Sequence, residues 1–406
     1  MLVLTCIALA MPIAAVNPEI GQTDANAPRP RVTPYDEAVA EIREKALFDA
    51  SDIPRVLTAA ALKAYVFGKD PYGDFLTREE YARWRGSTRR LQGAIGMEIE
   101  RRPNGDVLCF PYPNSPAARA GIRQGDRLLA IDGVPTRDRA LPTLAAVARG
   151  PAYTMVSLEI AGKDGGSRRL RIQREHVQDP RTRLRTYGGL DVIEIPSFAP
   201  GTRFELASLL AAWKPGRPVV IDLRGNFGGD FYAAVDSAML FVPEGDVVTS
   251  LRMKNGSKQY LSTLTGARQQ SRVILWQDGA TASAAELFIA ALTENGRATA
   301  IGRRTFGKGT RQDVIELADG AALILTTAYL RTPKGTEFNG KGLMPNEDLG
   351  PDAGTAAYVA STARASRTTA IDPAGVRVGR SALPEWQIRS GALRHRRSPT
   401  GVDSWT

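Results

Sequence analysis

Pro218-Val219-Val220-Ile221-Asp222-Leu223, with the Arg224-Gly225-Asn226-Phe227-Gly228-Gly229 that follows, decides the fold class. The first six residues read as a strand buried on both faces, because apolar side chains run without alternation. The next six break that strand with glycines, and residues 231–241 resume with helical periodicity. The same order recurs on either side. A strand over 190–195 precedes a helix over 204–213, and a buried strand over 272–276 precedes a helix over 284–292. Further strands fall at 298–301, 312–317 and 321–330. Such alternation predicts an α/β layer, helices packed on a β-sheet, across residues 184–348.

The flanks read differently. Residues 34–88 form a helical module: Ala38, Val39, Ile42, Ala46 and Leu47 share one face, and residues 57–67 make a second helix. After the turn cluster Asp70-Pro71-Tyr72-Gly73-Asp74, the run Thr77-Arg78-Glu79-Glu80 has the form of a capping box that opens a third helix. Residues 17–33 read as a linker. Residues 1–16 are apolar but too short to span a bilayer comfortably. Small residues at Ala8, Ala10, Ala14 and Ala15 suggest an export signal, although a positive start is missing; a buried N-terminal helix is the alternative. An exported protein of the bacterial periplasm or cell envelope is therefore expected. Residues 349–406 show little periodicity and are expected to be a disordered tail.

Composition narrows the class. With 43% apolar and 24% charged residues, the 406-residue chain is an ordinary globular sequence with room for several domains. Its net charge of +10 is dominated by arginine, in part in Arg394-His395-Arg396-Arg397. No aromatic-basic motif or recognition helix accompanies that charge, so no nucleic-acid partner is expected. A solvated basic surface remains, open to peripheral association with an anionic membrane. Of two cysteines, Cys6 lies in the apolar leader, so its removal leaves Cys109 alone and no intrachain disulfide. No metal or other cofactor is implied, and nothing in the sequence fixes an oligomeric state.

Between module and core the period is that of strands. Residues 95–99 and 107–112 flank the turn Asn104-Gly105, and Ser115-Pro116-Ala117-Ala118-Arg119-Ala120-Gly121 is a short helix ending at glycine. Gly125-Asp126 and Ile131-Asp132-Gly133 bracket another strand, residues 141–149 a second helix, and 155–160 and 169–173 the closing strands. Residues 89–176 thus resemble a PDZ domain. That resemblance implies strand addition by a peptide C-terminus beside the second helix, with N–H groups near Gly93-Ala94-Ile95-Gly96 holding the carboxylate. The bland alternative is a module that only packs on its neighbour.

Two stretches carry the chemistry: Gly279-Ala280-Thr281-Ala282-Ser283-Ala284-Ala285-Glu286 and Phe306-Gly307-Lys308-Gly309-Thr310-Arg311-Gln312. The chain has two histidines, His176 and His395, neither in a site-like segment, which argues against a Ser-His-Asp enzyme. Ser283 stands before a predicted helix, where the Ala284 N–H faces any oxyanion it would form; Gly228 can present a second donor. A serine so placed is more often a plain N-cap. Lys308 can act as a base only when neutral, which requires burial away from acidic groups. Gln312, an even offset along a predicted strand, falls on the same face and can orient the amine. Glu286 is expected to support the helix or touch the site.

Together these segments resemble the C-terminal processing peptidases, or tail-specific proteases, over residues 35–348. Thr281-Ala282-Ser283-Ala284, Phe306-Gly307-Lys308-Gly309 with Gln312, and the interval between Ser283 and Lys308 all match. So do Asp70-Pro71-Tyr72 with Phe75-Leu76, Asp222-Leu223-Arg224 with Asn226 and Gly228-Gly229, and Gly340-Lys341-Gly342 before Met344-Pro345. The resemblance implies a multidomain α+β protein: helical module, PDZ domain and α/β protease core. It implies a serine endopeptidase acting on proteins or peptides with free C-termini, with Ser283 as nucleophile and Lys308 as base. Two positions depart from the pattern, Ala285 where a second serine is frequent and Phe227 where proline is common. Two rivals stay open. One is an inactive PDZ scaffold. The other is a phosphate-binding loop over residues 302–308, which lacks the required Ser or Thr at Gly309 and should open a helix.

Overall fold

Local capping fixes several element boundaries in the computed structural model, which describes residues 34–367 except 52, 54–57, 88–91, 103, 163–164, 177–180, 215–216 and 265–271. The expected leader, the linker and the tail beyond 367 lie outside the described residues. First come α1 (Pro34–Lys45), α2 (Ala59–Lys69), β1 (Asp74–Leu76) and α3 (Arg78–Ser87). The Thr77 hydroxyl accepts from Glu80 N–H while Glu80 accepts from Thr77 N–H, so the expected capping box closes reciprocally.

Next come β2 (Gln92–Gly93), β3 (Met97–Arg101), β4 (Val107–Pro111), α4 (Pro116–Arg119), β5 (Arg127–Ile131), β6 (Val134–Pro135), α5 (Leu141–Ala148), β7 (Gly150–Pro151), β8 (Met155–Ala161) and β9 (Ser167–Gln173). Ser115 caps α4 through Ala118 N–H. The sheet runs β3-β4-β5-β8-β9 and encloses a core with Ile99, Cys109, Leu128, Leu144 and Leu158. Strand β3 is an edge, its outer side flanking α5.

The remainder is β10 (Arg183–Tyr187), β11 (Leu190–Glu194), α6 (Thr202–Ala211), β12 (Val219–Asp222), α7 (Phe231–Ala238), β13 (Val247–Met253), β14 (Gly256–Leu261), β15 (Val273–Gln277), α8 (Ala284–Glu294), β16 (Ala298–Gly302), β17 (Thr310–Glu316), β18 (Ala322–Arg331), β19 (Glu347–Asp348) and α9 (Thr355–Arg367). One sheet runs β10-β11-β12-β15-β16-β19, parallel from β11 onward. Its faces alternate as strand geometry requires. Val219, Ile221, Val273 and Leu275 pack with α7 and α8, whereas Val220, Ile274 and Trp276 pack with Tyr358 of α9.

Three features correct the sequence reading. The segment after 349 is not wholly a tail: α9 packs on the sheet, where Thr362 accepts from the Trp276 indole N–H at 2.9 Å. A second sheet, β1-β18-β13-β14 with β17 also on β18, includes the unanticipated β13–β14 hairpin. The N-terminal helices have no separate core, because Ile42, Leu62 and Val66 bury against Leu317, Leu323 and Leu325.

Candidate active site

Ser283 stands at the junction of β15 and α8, in a turn built by Asp278. That carboxylate accepts from the N–H groups of Gly225, Ala280 and Thr281. The Thr281 hydroxyl donates to Leu223 O. Ser283 itself has φ +56° and ψ −120°. A plain N-cap serine has extended backbone, and a positive φ outside glycine costs energy, so the turn imposes a conformation that capping does not need. Sharp strand-to-helix turns of this kind project a nucleophile.

Gly228 lies against that turn. A Cβ there would sit 2.8 Å from both Ser283 Cβ and Ala284 N, and its φ is +99°. Only glycine permits the approach. The two expected oxyanion donors differ. Ala284 N–H has no acceptor among the described residues. Gly228 N–H instead donates to Asn226 Oδ1 at 2.8 Å. Asn226, fully buried, also donates to Ile195 O and accepts from Ala282 N–H through its own carbonyl. Just upstream, Arg224 pairs with Asp222 and stacks between Trp276 and Tyr358, 4.8 and 4.6 Å from the ring centroids.

Glu286, in the first turn of α8, ties the lysine loop to the serine turn. It is fully buried, and its Oε2 accepts from Ser283 N–H and from Lys308 N–H, each at 2.8 Å. Its Oε1 accepts from Gly307 N–H at 2.7 Å and from the Thr305 hydroxyl. Main chain of the two candidate catalytic residues thus meets at one oxygen atom. Burial pushes this carboxyl up to about 7, against four donors that favour the charge. Gly307, at φ +90°, lets segment 340–342 cross the loop; a Cβ there would lie 2.7 Å from Gly342 N.

The Lys308 amine does not lie away from acidic groups, as expected of a neutral base. Its Nζ donates to Glu100 Oε2 at 2.7 Å and sits 5.2 Å from the Tyr72 ring centroid. Burial and the Glu100 charge push the Tyr72 phenol above its usual range. Glu100 belongs to β3, so the PDZ domain supplies the carboxylate that holds the lysine. Adjacent contacts dock the same hairpin on the candidate catalytic loops. Phe110 of β4 packs at centroid distances of 4.2 Å from Phe227 and 5.9 Å from Phe306, and Arg102 stacks 4.0 Å from Phe306. Phe227, the departure from the family pattern, therefore has a partner in the PDZ domain.

Gln312 is not directed at the amine. Its Nε2 donates to Thr310 and Thr326 hydroxyls at 3.0 and 3.2 Å. Thr326 is held in turn by Asp70. Segment 302–308 leads into β17 rather than a helix, so a phosphate-binding loop has no helix N-terminus to use. In the PDZ domain, Gly93 pairs with Gly150, and Ala94 N–H is spent on Glu175 O. Ile95 and Gly96 N–H groups have no acceptor among the described residues. Sequence reasoning missed Glu100, which carries no local signal, and left Glu286 without a definite role although the motif contains it.

Comparison with known proteins gives the family. Residues 190–349 match peptidase family S41, and residues 111–162 match a PDZ domain. A carboxyl-terminal-processing protease of Synechocystis sp. is 32% identical over 313 residues, covering 75% of this chain and 73% of that protein. One from Picosynechococcus sp. is 34% identical over 287 residues, covering 68% and 69%. The solved photosystem II D1 C-terminal processing protease shares the fold with a TM-score of 0.71 at 24% identity, over 79% of this chain and 93% of that one. Fold and site together define a PDZ-bearing S41 peptidase. The chain belongs to the carboxyl-terminal-processing protease family.

Proposed function

We propose that the chain is a serine endopeptidase that cleaves proteins at or near their C-terminal regions, the PDZ domain capturing the substrate tail. The observation that carries this reading is the shared Glu286 oxygen, which joins the backbones of Ser283 and Lys308. Ser283 Oγ attacks the scissile carbonyl as its proton passes to neutral Lys308 Nζ, and the oxyanion takes the open Ala284 N–H. Gly228 N–H joins once it leaves Asn226. The lysine then returns the proton to the departing amine, and water releases the acyl group from Ser283. Gln312 orients Lys308 only once its amide leaves Thr310 and Thr326. Export to the cell envelope fits the apolar leader.

The test is mass spectrometry of a digest of an unstructured polypeptide with a free or amidated C-terminus. The free acid is expected to be cut about tenfold or more faster, and Ser283→Ala to cut neither. Absence of cleavage by the unaltered protein favours a peptide-binding scaffold instead.

For Lys308 to act, its amine has to leave Glu100 and lose its proton. Strand β3 both offers the free edge for the tail and carries Glu100, so tail addition and release of the base are mechanically linked. Glu100→Gln weakens a charge-assisted bond that is largely buried, on residues 8% and 20% exposed. Cleavage of the amidated substrate is expected to rise about tenfold in this variant, narrowing the gap to the free acid. An unchanged gap would show that the ion pair does not restrain the base.

A further inference from the structure

We propose that Phe227 decides whether the oxyanion site has one main-chain donor or two. Stacked on Phe110 of the PDZ domain, its ring keeps the 227–228 peptide where the Gly228 N–H is spent on Asn226, and parting the two rings lets that N–H reach the oxyanion. The inference rests on the serine-protease reading and deepens it, by giving one side chain control of the oxyanion loop. The two rings stand 4.2 Å apart at their centroids and are tilted by 44°. Phe110 is buried in β4, on the hairpin that also carries Glu100, whereas Phe227 is half-buried. Phe110 also meets Phe306 edge-on at 5.9 Å, so it cannot follow Phe227 without disturbing the lysine loop.

The loop leaves few ways to re-aim the donor. Gly228 N–H bonds to Asn226 Oδ1 at 2.8 Å, and Asn226 is itself fixed through Ile195 O and the Ala282 N–H. On the other side, the Gly228 carbonyl accepts from Phe198 N–H at 2.7 Å and from the Ser197 hydroxyl at 3.2 Å. Gly228 is also wedged against the serine turn, where a Cβ would meet Ala284 N at 2.8 Å. The donor therefore lies beside the open Ala284 N–H and needs only a change of direction. Turning the 227–228 peptide over in place would set the Phe227 carbonyl against Asn226 Oδ1, acceptor against acceptor. What remains is a shift of the Phe227 end of that peptide. Glycine at φ +99° supplies the pivot for it, and the stacked ring opposes it.

The experiment is steady-state kinetics of the full-length protein on an unstructured polypeptide with an amidated C-terminus. It is paired with inhibition by a peptide aldehyde, whose adduct with Ser283 places an oxygen in the oxyanion site. Phe227→Ala is expected to raise kcat about fivefold at unchanged KM, the scale of one lost aromatic pair. The aldehyde should bind tighter by a similar factor, since the added donor acts on the adduct and not on bound substrate. The kcat plateau should rise without moving the pH at which activity falls off, unlike Glu100→Gln, which acts on the base. Phe227→Tyr keeps the ring and should return both values to those of the unaltered protein. If alanine lowers the thermal midpoint, Phe227→Leu, which keeps apolar bulk without the ring, carries the same test. A kcat and an aldehyde affinity at or below the original values in a folded variant would overturn the inference while leaving the protease reading intact. An unaltered protein that cleaves nothing would overturn that reading, and the inference with it.

Discussion

Ser283→Ala is expected to abolish proteolysis, by about 10⁴-fold or more, without lowering the thermal midpoint. In the proposed mechanism the hydroxyl is the reacting group, whereas the structural bond of this residue runs from its N–H to Glu286. Alanine keeps that N–H and the same Cβ at φ +56°, so the turn is unchanged. Lys308→Met should lose turnover to a similar extent, but with a second effect. The methionine stem still covers Tyr72, yet Glu100 loses its ammonium. A carboxylate 8% exposed is left unpaired, which costs about 1–3 kcal/mol and loosens the PDZ hairpin. The double variant should be no slower than either single one, because nucleophile and base act as a unit. Residual cleavage within tenfold of the unaltered protein in Ser283→Ala would remove Ser283 from the chemistry.

The candidate catalytic stretches could be picked out because their signals are local. A strand, a small-residue turn and a helix read directly from residues 272–292, and glycines around Lys308 announce close backbone contact. The order of helical module, PDZ domain and core followed from changes of period. What escaped was set by distant partners. Glu100 looks like one charge on a short strand, and only folding brings it to Lys308, 208 positions away. Gln312 was expected on the strand face of Lys308, but Lys308 precedes β17, the register shifts between Arg311 and Gln312, and Thr310 and Thr326 take its amide. Strand β14, Gly256–Leu261, is a mostly exposed edge, so it lacks the apolar alternation that marks a half-buried strand. Helix α9 hides its inner face in Tyr358, Ser361 and Thr362, small or polar groups that periodicity does not count as core.

Glu286→Gln carries the second large effect, because no neutral side chain reproduces four acceptor contacts. The three N–H groups of Ser283, Gly307 and Lys308 can only donate. An amide NH₂ placed toward Thr305 faces Gly307 N–H, donor against donor; placed the other way it faces both Ser283 and Lys308. Either orientation parts the lysine loop from the serine turn, and misplacement on that scale costs about 10²-fold in kcat. A role in packing alone would predict a plain loss of stability, and here the pH dependence separates the two. Burial raises the folded-state carboxyl of Glu286 from 4.5 to about 7. Between those values the folded chain holds a proton that the unfolded chain has released. Its contribution to stability is therefore full below pH 4.5 and is lost as pH rises through 7, on the order of 3 kcal/mol across the window. Glutamine does not titrate, so denaturant midpoints of Glu286→Gln should lack this decline while its kcat stays low at every pH. Meanwhile the unaltered protein gains its full set of acceptor contacts as Glu286 ionises, trading stability for a fixed approach of base to nucleophile. Parallel pH–stability curves for the two proteins would show that Glu286 does not titrate in this window, and near-normal kcat in the glutamine variant would show that its four contacts do not set the catalytic geometry.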